Sequence, residues 1–228
     1  MLSWQQAEKR EKANMSVMNI YLARHGETEY NRCNQIQGRG IDASLNDTGI
    51  RQAQAIARHL QDISIQQIFS SSLKRSRQTA ETIAKQERLD VLAYRDLDEM
   101  DFGILEGKPI SEIKSELQHL HERWKSGDVH FAFDQGESPN AVFKRADKRA
   151  KIILKKHQHK NLLFVLHGRL LRILLSEWLG YGLSNMHEIP HSNGALYHLK
   201  WNGSVFNSLY INKTDHLTEV SSKEGMTS

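Results

Sequence analysis

Apolar strand patterns alternating with amphipathic helix patterns along most of the chain predict an α/β protein, a three-layer α/β/α sandwich with a mainly parallel central sheet. The run Leu162-Leu163-Phe164-Val165-Leu166 is apolar at every position, as a central parallel strand covered on both faces must be. A shared pattern adds to this. The apolar run Ile20-Tyr21-Leu22-Ala23 stops at Arg24-His25-Gly26, and the run ending at Leu166 stops at His167-Gly168. Each reads as a buried strand that delivers a histidine to a sheet edge, with glycine letting the backbone turn.

The elements follow in order. After the first strand, a loop rich in Gly, Asn and Gln (Asn31 to Gly40) leads to Asn46, a plausible N-cap. Ile50, Ala53, Ile56, Ala57 and Leu60 then recur at helical spacing as one buried face. Ile65 to Phe69 reads as a second strand, and Ser70-Ser71-Ser72 as the cap of a helix carrying Leu73, Ser76, Ala80, Ile83 and Ala84. Val91 to Tyr94 is a short third strand. From Asp96 to Gly107 the pattern dissolves into a loop holding Asp96, Asp98, Glu99, Asp101 and Glu106.

Pro109 suits the first turn of a helix running toward Trp124, with Ile110, Ile113, Leu117 and Leu120 on one face. Gly127 to Gly136 reads as a loop. A long helix follows from about Pro139 to His157, with Val142, Ala146, Ala150, Ile153 and Leu154 inward. Beyond the central strand a helix begins at Arg169 or Leu170. Two further strands lie around Ala195 to Trp201 and Val205 to Ile211, turning at Asn202-Gly203. The expected organisation is a polar extension over 1–17, one domain over 18–212, and a polar, loose tail over 213–228.

The 228 residues, 39% hydrophobic, suffice for one sizeable core. The formal charge of +4 comes from 31 basic and 27 acidic residues spread through the chain, which suits an enzyme for anionic small molecules. With 7% aromatics and no continuous basic strip, a nucleic-acid binder is disfavoured. Cys33 is the only cysteine, so no internal disulfide or cysteine metal cluster can form. The charged start (Glu8 to Lys12) does not read as a secretory signal. The run Leu170 to Leu179 is too short and polar to span a bilayer, so no membrane partner and a cytoplasmic location are expected.

In parallel sheets, ligands sit beyond the carboxyl ends of the strands. Arg24-His25, Ser70 to Arg75 and His167-Gly168 all occupy such ends and can meet at one edge. Taken alone, Arg24-His25 could equally be a basic surface turn. Imidazole can attack a phosphoryl group directly, and guanidinium offers a planar fork of donors for phosphate oxygens. His25 as nucleophile, with Arg24, Arg75 and His167 neutralising the oxygens, is a credible phosphoryl-transfer site without metal or cofactor. A carboxylic acid from the Asp96 to Glu106 loop could protonate the leaving alkoxide and later take a proton from water.

The ordered set Arg24-His25-Gly26-Glu27-Thr28 with Asn31, Gln37-Gly38, Leu45 to Gly49, Ser70 to Ala80, Glu99 ahead of Gly103 and Glu106-Gly107, Gly136-Glu137-Ser138, and His167-Gly168 with Arg172 resembles the histidine phosphatase superfamily, also called phosphoglycerate mutase-like. The resemblance runs from about Ile20 to Ile211. It implies that His25 is the phosphorylated nucleophile, that Arg24, Arg75 and His167 hold the phosphoryl group, that Gly168 belongs to the substrate-binding set, and that Glu99 is the general acid and base. It also implies that Asn31, Gln37, Gly38 and the loop through Phe102 line the substrate side. Local sequence alone does not separate Glu99 from Asp98, Asp101 or Glu106, and Asp98 is a live rival.

Three positions depart from the family pattern. Ser72 stands where many members have proline, which bears on how the following helix begins. Leu166 replaces a small hydroxyl residue before the second histidine. Arg169 follows His167-Gly168 where a small residue is common. Its bulky cation either points away from the site or narrows it and favours a more anionic substrate.

Mutases of the superfamily carry a long insertion between the acid and the second histidine that closes the site. Here that interval holds one short helix, a loop and the long helix. A less covered site admits water, so a phosphatase is expected, with a cofactor-dependent phosphoglycerate mutase as the alternative. A non-catalytic phospho-ligand module on the same fold would lack His25, an arginine or the acid, and all are present. The expected ligand is a small phosphorylated metabolite. Sugar phosphates, nucleotide-derived phosphates, phosphoglycerates and protein phosphohistidine all satisfy this chemistry.

Elsewhere, the two-apart pairs His119/His121 and His157/His159 read as solvated helix faces; His187 and His191 flank Pro190 near the site edge and read as packing, with a substrate role the alternative. Trp124 and Trp178 read as core or lid packing.

Overall fold

In the computed structural model, which describes residues 17–218 and 220, the first apolar run forms β1 (Met18–Arg24). Its side chains alternate between two cores. Ile20 and Leu22 face one, Tyr21 and Ala23 the other, so the strand is covered on both sides. The remaining elements are α1 (Glu29–Arg32), α2 (Asp47–Leu60), β2 (Gln67–Ser71), α3 (Lys74–Glu87), β3 (Val91–Tyr94), α4 (Lys114–Lys125), α5 (Pro139–Lys156), β4 (Leu162–Leu166), α6 (Gly168–Trp178), β5 (Leu196–Trp201) and β6 (Phe206–Lys213).

The six strands are ordered β3-β2-β4-β1-β5-β6. The first four are mutually parallel, and β5 and β6 add an antiparallel edge beside β1. Helices α2 and α3 pack on one face through Ile56, Leu60, Ala80 and Ile83. Helices α4, α5 and α6 cover the other through Trp124, Val142, Leu154, Leu171 and Leu174. This is the expected three-layer sandwich. Each fully buried Leu, Ile or Phe contributes about 1.5–3 kcal/mol, so the two cores supply the main drive to fold.

Several local expectations change. The second strand begins at Gln67 and continues through Ser71, so Ser70 and Ser71 belong to β2 rather than to a helix cap. The N-cap of α3 is Leu73, without a side-chain cap bond. Ser72 instead donates its backbone N–H and hydroxyl to Asp98, at 2.8 Å each, a backbone donor that proline would lack. Ile50 is 45% exposed, because the buried stripe of α2 starts at Gly49 and Ala53.

Pro109 precedes a separate 3-10 turn (Ile110–Glu112) before α4, which turns Ile110 away from the core. Helix α6 starts at Gly168, earlier than its apolar positions suggested. The chain after Asn212 is not loose throughout. Lys213 completes β6, and Leu217 and Val220 are buried against Ala55. The expected extension over 1–17 lies outside the described residues apart from Val17. Among the described residues no helix is long and apolar enough to cross a membrane.

Candidate active site

Sheet register builds the site. Because β1 and β4 are adjacent and parallel with Arg24 paired to Leu166, the next residues, His25 and His167, emerge side by side. Their ring centroids lie 5.1 Å apart. Gly26 then turns the chain under a close approach: a Cβ there would lie 2.3 Å from the Gly49 carbonyl oxygen at the start of α2.

The His25 ring is buried, and its Nδ1 lies 2.7 Å from the Gly26 carbonyl oxygen. A carbonyl can only accept, so Nδ1 carries the proton and Nε2 keeps its lone pair. Burial, then the charges of Arg75 and Arg24, hold this imidazole well below its usual 6.5. His25 is therefore a neutral base at physiological pH.

Two arginines and a second imidazole converge on it from separate elements. Arg75, fully buried on α3, donates Nη1 to the Ile41 carbonyl (2.7 Å) and Nη2 to the Gly38 carbonyl (3.1 Å). Burial pulls it down to about 10, which leaves it charged. Arg24 donates Nη1 to the His191 carbonyl. His167 Nε2 meets the Ser71 hydroxyl at 2.6 Å, so the hydroxyl contact to this ring comes from β2, while Leu166 is core. With the Ser71 hydroxyl donating to His167 Nε2, what remains is a set of buried donors without partners: Arg24 Nε, Arg75 Nε and His167 Nδ1. Buried polar groups are almost always satisfied, and unpaired donors around one imidazole suit an anion.

The four candidate carboxylates separate clearly. Glu99 lines the same cleft as His25, about 330 Å³ in volume. Its Oε1 accepts from the Met100 and Leu170 backbone N–H groups (2.8 and 2.9 Å), and its Oε2 from that of Arg169 (2.9 Å). Asp98 is committed to Ser72, Asp101 to the Gly103 N–H, and Glu106 to the Phe102 N–H. None of these three lines the cleft.

Of the expected substrate-side residues, Asn31, Gln37 and Phe102 line the cleft. Gly38 and Gly168 do not. Gly38 contributes its carbonyl to Arg75, and Gly168 lets Arg24 approach, since a Cβ there would sit 3.1 Å from Arg24 Nε. Arg75 and His167 lie deeper than the cleft lining. Arg169 lines the cleft, with its guanidinium held against His121 and Trp124 at the cleft's edge.

Sequence reasoning missed Asn193, which lines the cleft and donates to Asn31 Oδ1 at 3.0 Å. It also missed Arg145 on α5. Its Nη1 donates to the Asp98 carbonyl and its Nη2 to the Glu99 carbonyl, at 2.9 and 3.0 Å, while it pairs with Glu137. Burial opposes the Glu137 charge, but the Arg145 hydrogen bonds and charge outweigh it and hold that carboxyl below the usual range. His191 lines the cleft, the alternative its place near the site edge left open. His121 is not simply solvated, since its Nε2 meets Arg169 Nη2 at 3.2 Å. His157 packs edge-on against Phe69.

These buried imidazoles set a pH dependence of stability. Burial, reinforced by neighbouring arginines, holds His25 and His167 well below 6.5 and His191 down at about 3. Below about pH 6.5 the unfolded chain takes up protons at these positions while the native state does not, so stability falls as pH falls. Thermal melting should show Tm level between about pH 7 and 8 and declining steadily from about 6.5 toward 4. A Tm that held or rose over the lower range would contradict this.

Residues 20–214 match the family model of the histidine phosphatase superfamily (branch 1). A probable phosphoglycerate mutase GpmB of Proteus mirabilis is 37% identical over 164 residues, covering 72% of this chain and 76% of that protein. A probable phosphoglycerate mutase GpmB of Yersinia pestis (strain Pestoides F) is 34% identical over 164 residues, with the same 72% and 76% coverage. Among solved structures, a phosphoserine phosphatase from Entamoeba histolytica in complex with 3-phosphoglyceric acid has a TM-score of 0.78 at 26% identity, covering 88% of this chain and 99% of that one. Bacillus stearothermophilus YhfR has a TM-score of 0.80 at 24% identity, covering 88% and 99%, a likeness of fold alone.

Proposed function

The chain belongs to the histidine phosphatase superfamily, and we propose that it is a metal-independent phosphatase that hydrolyses phosphate monoesters through a phosphohistidine on His25. The observation that carries this reading is the neutral His25, with Nδ1 spent on Gly26, among the unpaired buried donors of Arg24, Arg75 and His167.

The His25 Nε2 lone pair forms a bond to phosphorus as the phosphorus–oxygen bond to the alcohol breaks. The two arginines and His167 take the charge on the remaining oxygens. Glu99 gives a proton to the departing alkoxide. In the second half, water attacks the phosphohistidine and Glu99 takes a proton from it. The phosphorus–nitrogen bond breaks, releasing phosphate and returning His25 as the free base. Asn31, Gln37, Phe102 and Asn193 bound the space for the alcohol. The substrate class is a small phosphorylated metabolite.

The test is a panel of phosphomonoesters assayed with EDTA, paired with alkaline quenching during turnover and peptide mapping. Phosphate release should survive the chelator, and the phosphoryl group should be trapped on His25. A label on another residue, no label at all, or activity abolished by EDTA would reject the mechanism.

The names of the Proteus and Yersinia relatives favour a second reading, phosphoglycerate mutase. It predicts isomerisation of phosphoglycerate without release of phosphate, whereas the phosphatase reading predicts net release. The same assay separates them.

A further inference from the structure

Arg169 is the second residue of α6, and its backbone N–H holds Glu99 Oε2. Its side chain is fixed on two sides. Nη2 donates to His121 Nε2, and the guanidinium carbon lies 5.3 Å above the ring of Trp124, itself buried and anchored through Nε1 to the Phe131 carbonyl at 2.9 Å. Burial, then the charge of Arg169, pushes His121 down to about 4, so that ring is a neutral acceptor and gives Arg169 no negative charge.

Nη1 is buried without a hydrogen-bond partner, and among the described residues no ion pair closes on this guanidinium; the Glu99 carboxylate acts on it only through space. Arg169 lines both the cleft that holds His25 and Glu99 and an adjoining recess of about 220 Å³ shared with His121, Trp124, Lys125 and His187. A half-buried guanidinium held on two sides, with its buried Nη1 unpartnered, is suited to meet an anion on the wall of a substrate cleft.

We infer that Arg169 is a specificity-determining residue that holds a second anionic group, a carboxylate or second phosphate, carried on the alcohol part of the substrate. Its place relative to Glu99 sets which end of the substrate it meets. With phosphorus at His25 and the leaving oxygen at Glu99, the residue bonded to Glu99 through its own backbone stands on the leaving-group side. The transferring phosphoryl group already has Arg24, Arg75 and His167. The inference rests on the phosphatase reading and adds the charge of the alcohol to it.

The test uses a matched three-carbon series: glycerol 3-phosphate, 3-phosphoglycerate and glycerol 1,3-bisphosphate. For wild type, Arg169→Met and Arg169→Lys, kcat/KM for each charged substrate is divided by that for glycerol 3-phosphate, so any change in the shared chemical step cancels. Charge-assisted hydrogen bonds of this kind imply that Arg169→Met lowers the ratio about 10- to 100-fold, mainly through KM. Arg169→Lys should recover part of it. The substrate whose ratio falls further identifies the second anion as carboxylate or phosphate. Ratios unchanged in both variants overturn the inference.

Calorimetric binding of 3-phosphoglycerate against glycerol 3-phosphate gives the same comparison without turnover. A wild-type protein that releases no phosphate from any member, yet shows an Arg169-dependent affinity difference, would lose the phosphatase reading and keep this one.

Discussion

His25→Ala is expected to lower the turnover of phosphate monoesters by about 10⁴-fold or more and to abolish the trapped phosphoenzyme, with the fold retained. The size follows from the mechanism. Arg24, Arg75 and His167 can still bind an anion, but the Nε2 lone pair placed among them is gone, and with it the bond to phosphorus at that position. The structural cost is a separate matter, the packing of one buried ring and its hydrogen bond. The ring makes one hydrogen bond, to the Gly26 carbonyl, worth about 1 kcal/mol.

A second signature separates loss of chemistry from loss of structure. The wild-type native state resists protonation of His25, so removing that ring should make the fall in Tm between pH 7 and pH 5 smaller. Steady-state rates, quench labelling and melts at both pH values check the three statements together. Activity within tenfold of wild type would sink the proposed role.

The parts of the site carried by strand ends were legible in the sequence because a parallel sheet converts sequence pattern into position. Two apolar runs ending in His-Gly are enough to place His25 beside His167 once β1 and β4 are neighbours. Arg75 sits less than two turns from the end of β2, so it too was readable. The choice of Glu99 depended on resemblance, because the loop over 96–107 has no periodicity to orient its carboxylates. Hydrogen bonding separates them in the fold, since Asp98 is consumed by Ser72 while Glu99 lines the cleft.

What was hidden depends on long-range placement. Arg145 is one of many cations on α5, and nothing local marks it as the one that grips the Asp98 and Glu99 carbonyls. Asn193 lies in a loop before β5 whose path is set by that strand's pairing with β1. The orientation of Arg169 turned on the start of α6 at Gly168, where the apolar stripe gives no signal, and on Trp124 arriving from α4. Ile50 shows the opposite error: helical spacing alone cannot say where a buried stripe begins.

Glu99→Gln should divide substrates by their leaving group. An alkyl phosphate releases a strongly basic alkoxide that needs a proton in the transition state, and losing the donor should cost about 10²–10⁴-fold in kcat. p-Nitrophenyl phosphate releases a stable phenolate, so phosphorylation of His25 should proceed at a rate much closer to wild type. Attack of water on the phosphohistidine still lacks its base. The variant should therefore release one equivalent of nitrophenol in a burst and accumulate phosphoenzyme.

The amide keeps one carbonyl oxygen for the Met100 and Leu170 N–H groups, but its NH₂ faces the Arg169 N–H that Oε2 now accepts from. A modest loss of stability is expected alongside the kinetic effect, and it cannot by itself produce a leaving-group dependence. Asp98→Asn is the control. Its carboxylate holds Ser72 at the start of α3 and does not line the cleft, so that variant should affect alkyl and aryl phosphates by the same factor. Equal losses for both substrate types in Glu99→Gln, with no burst, would move the acid–base role to another group.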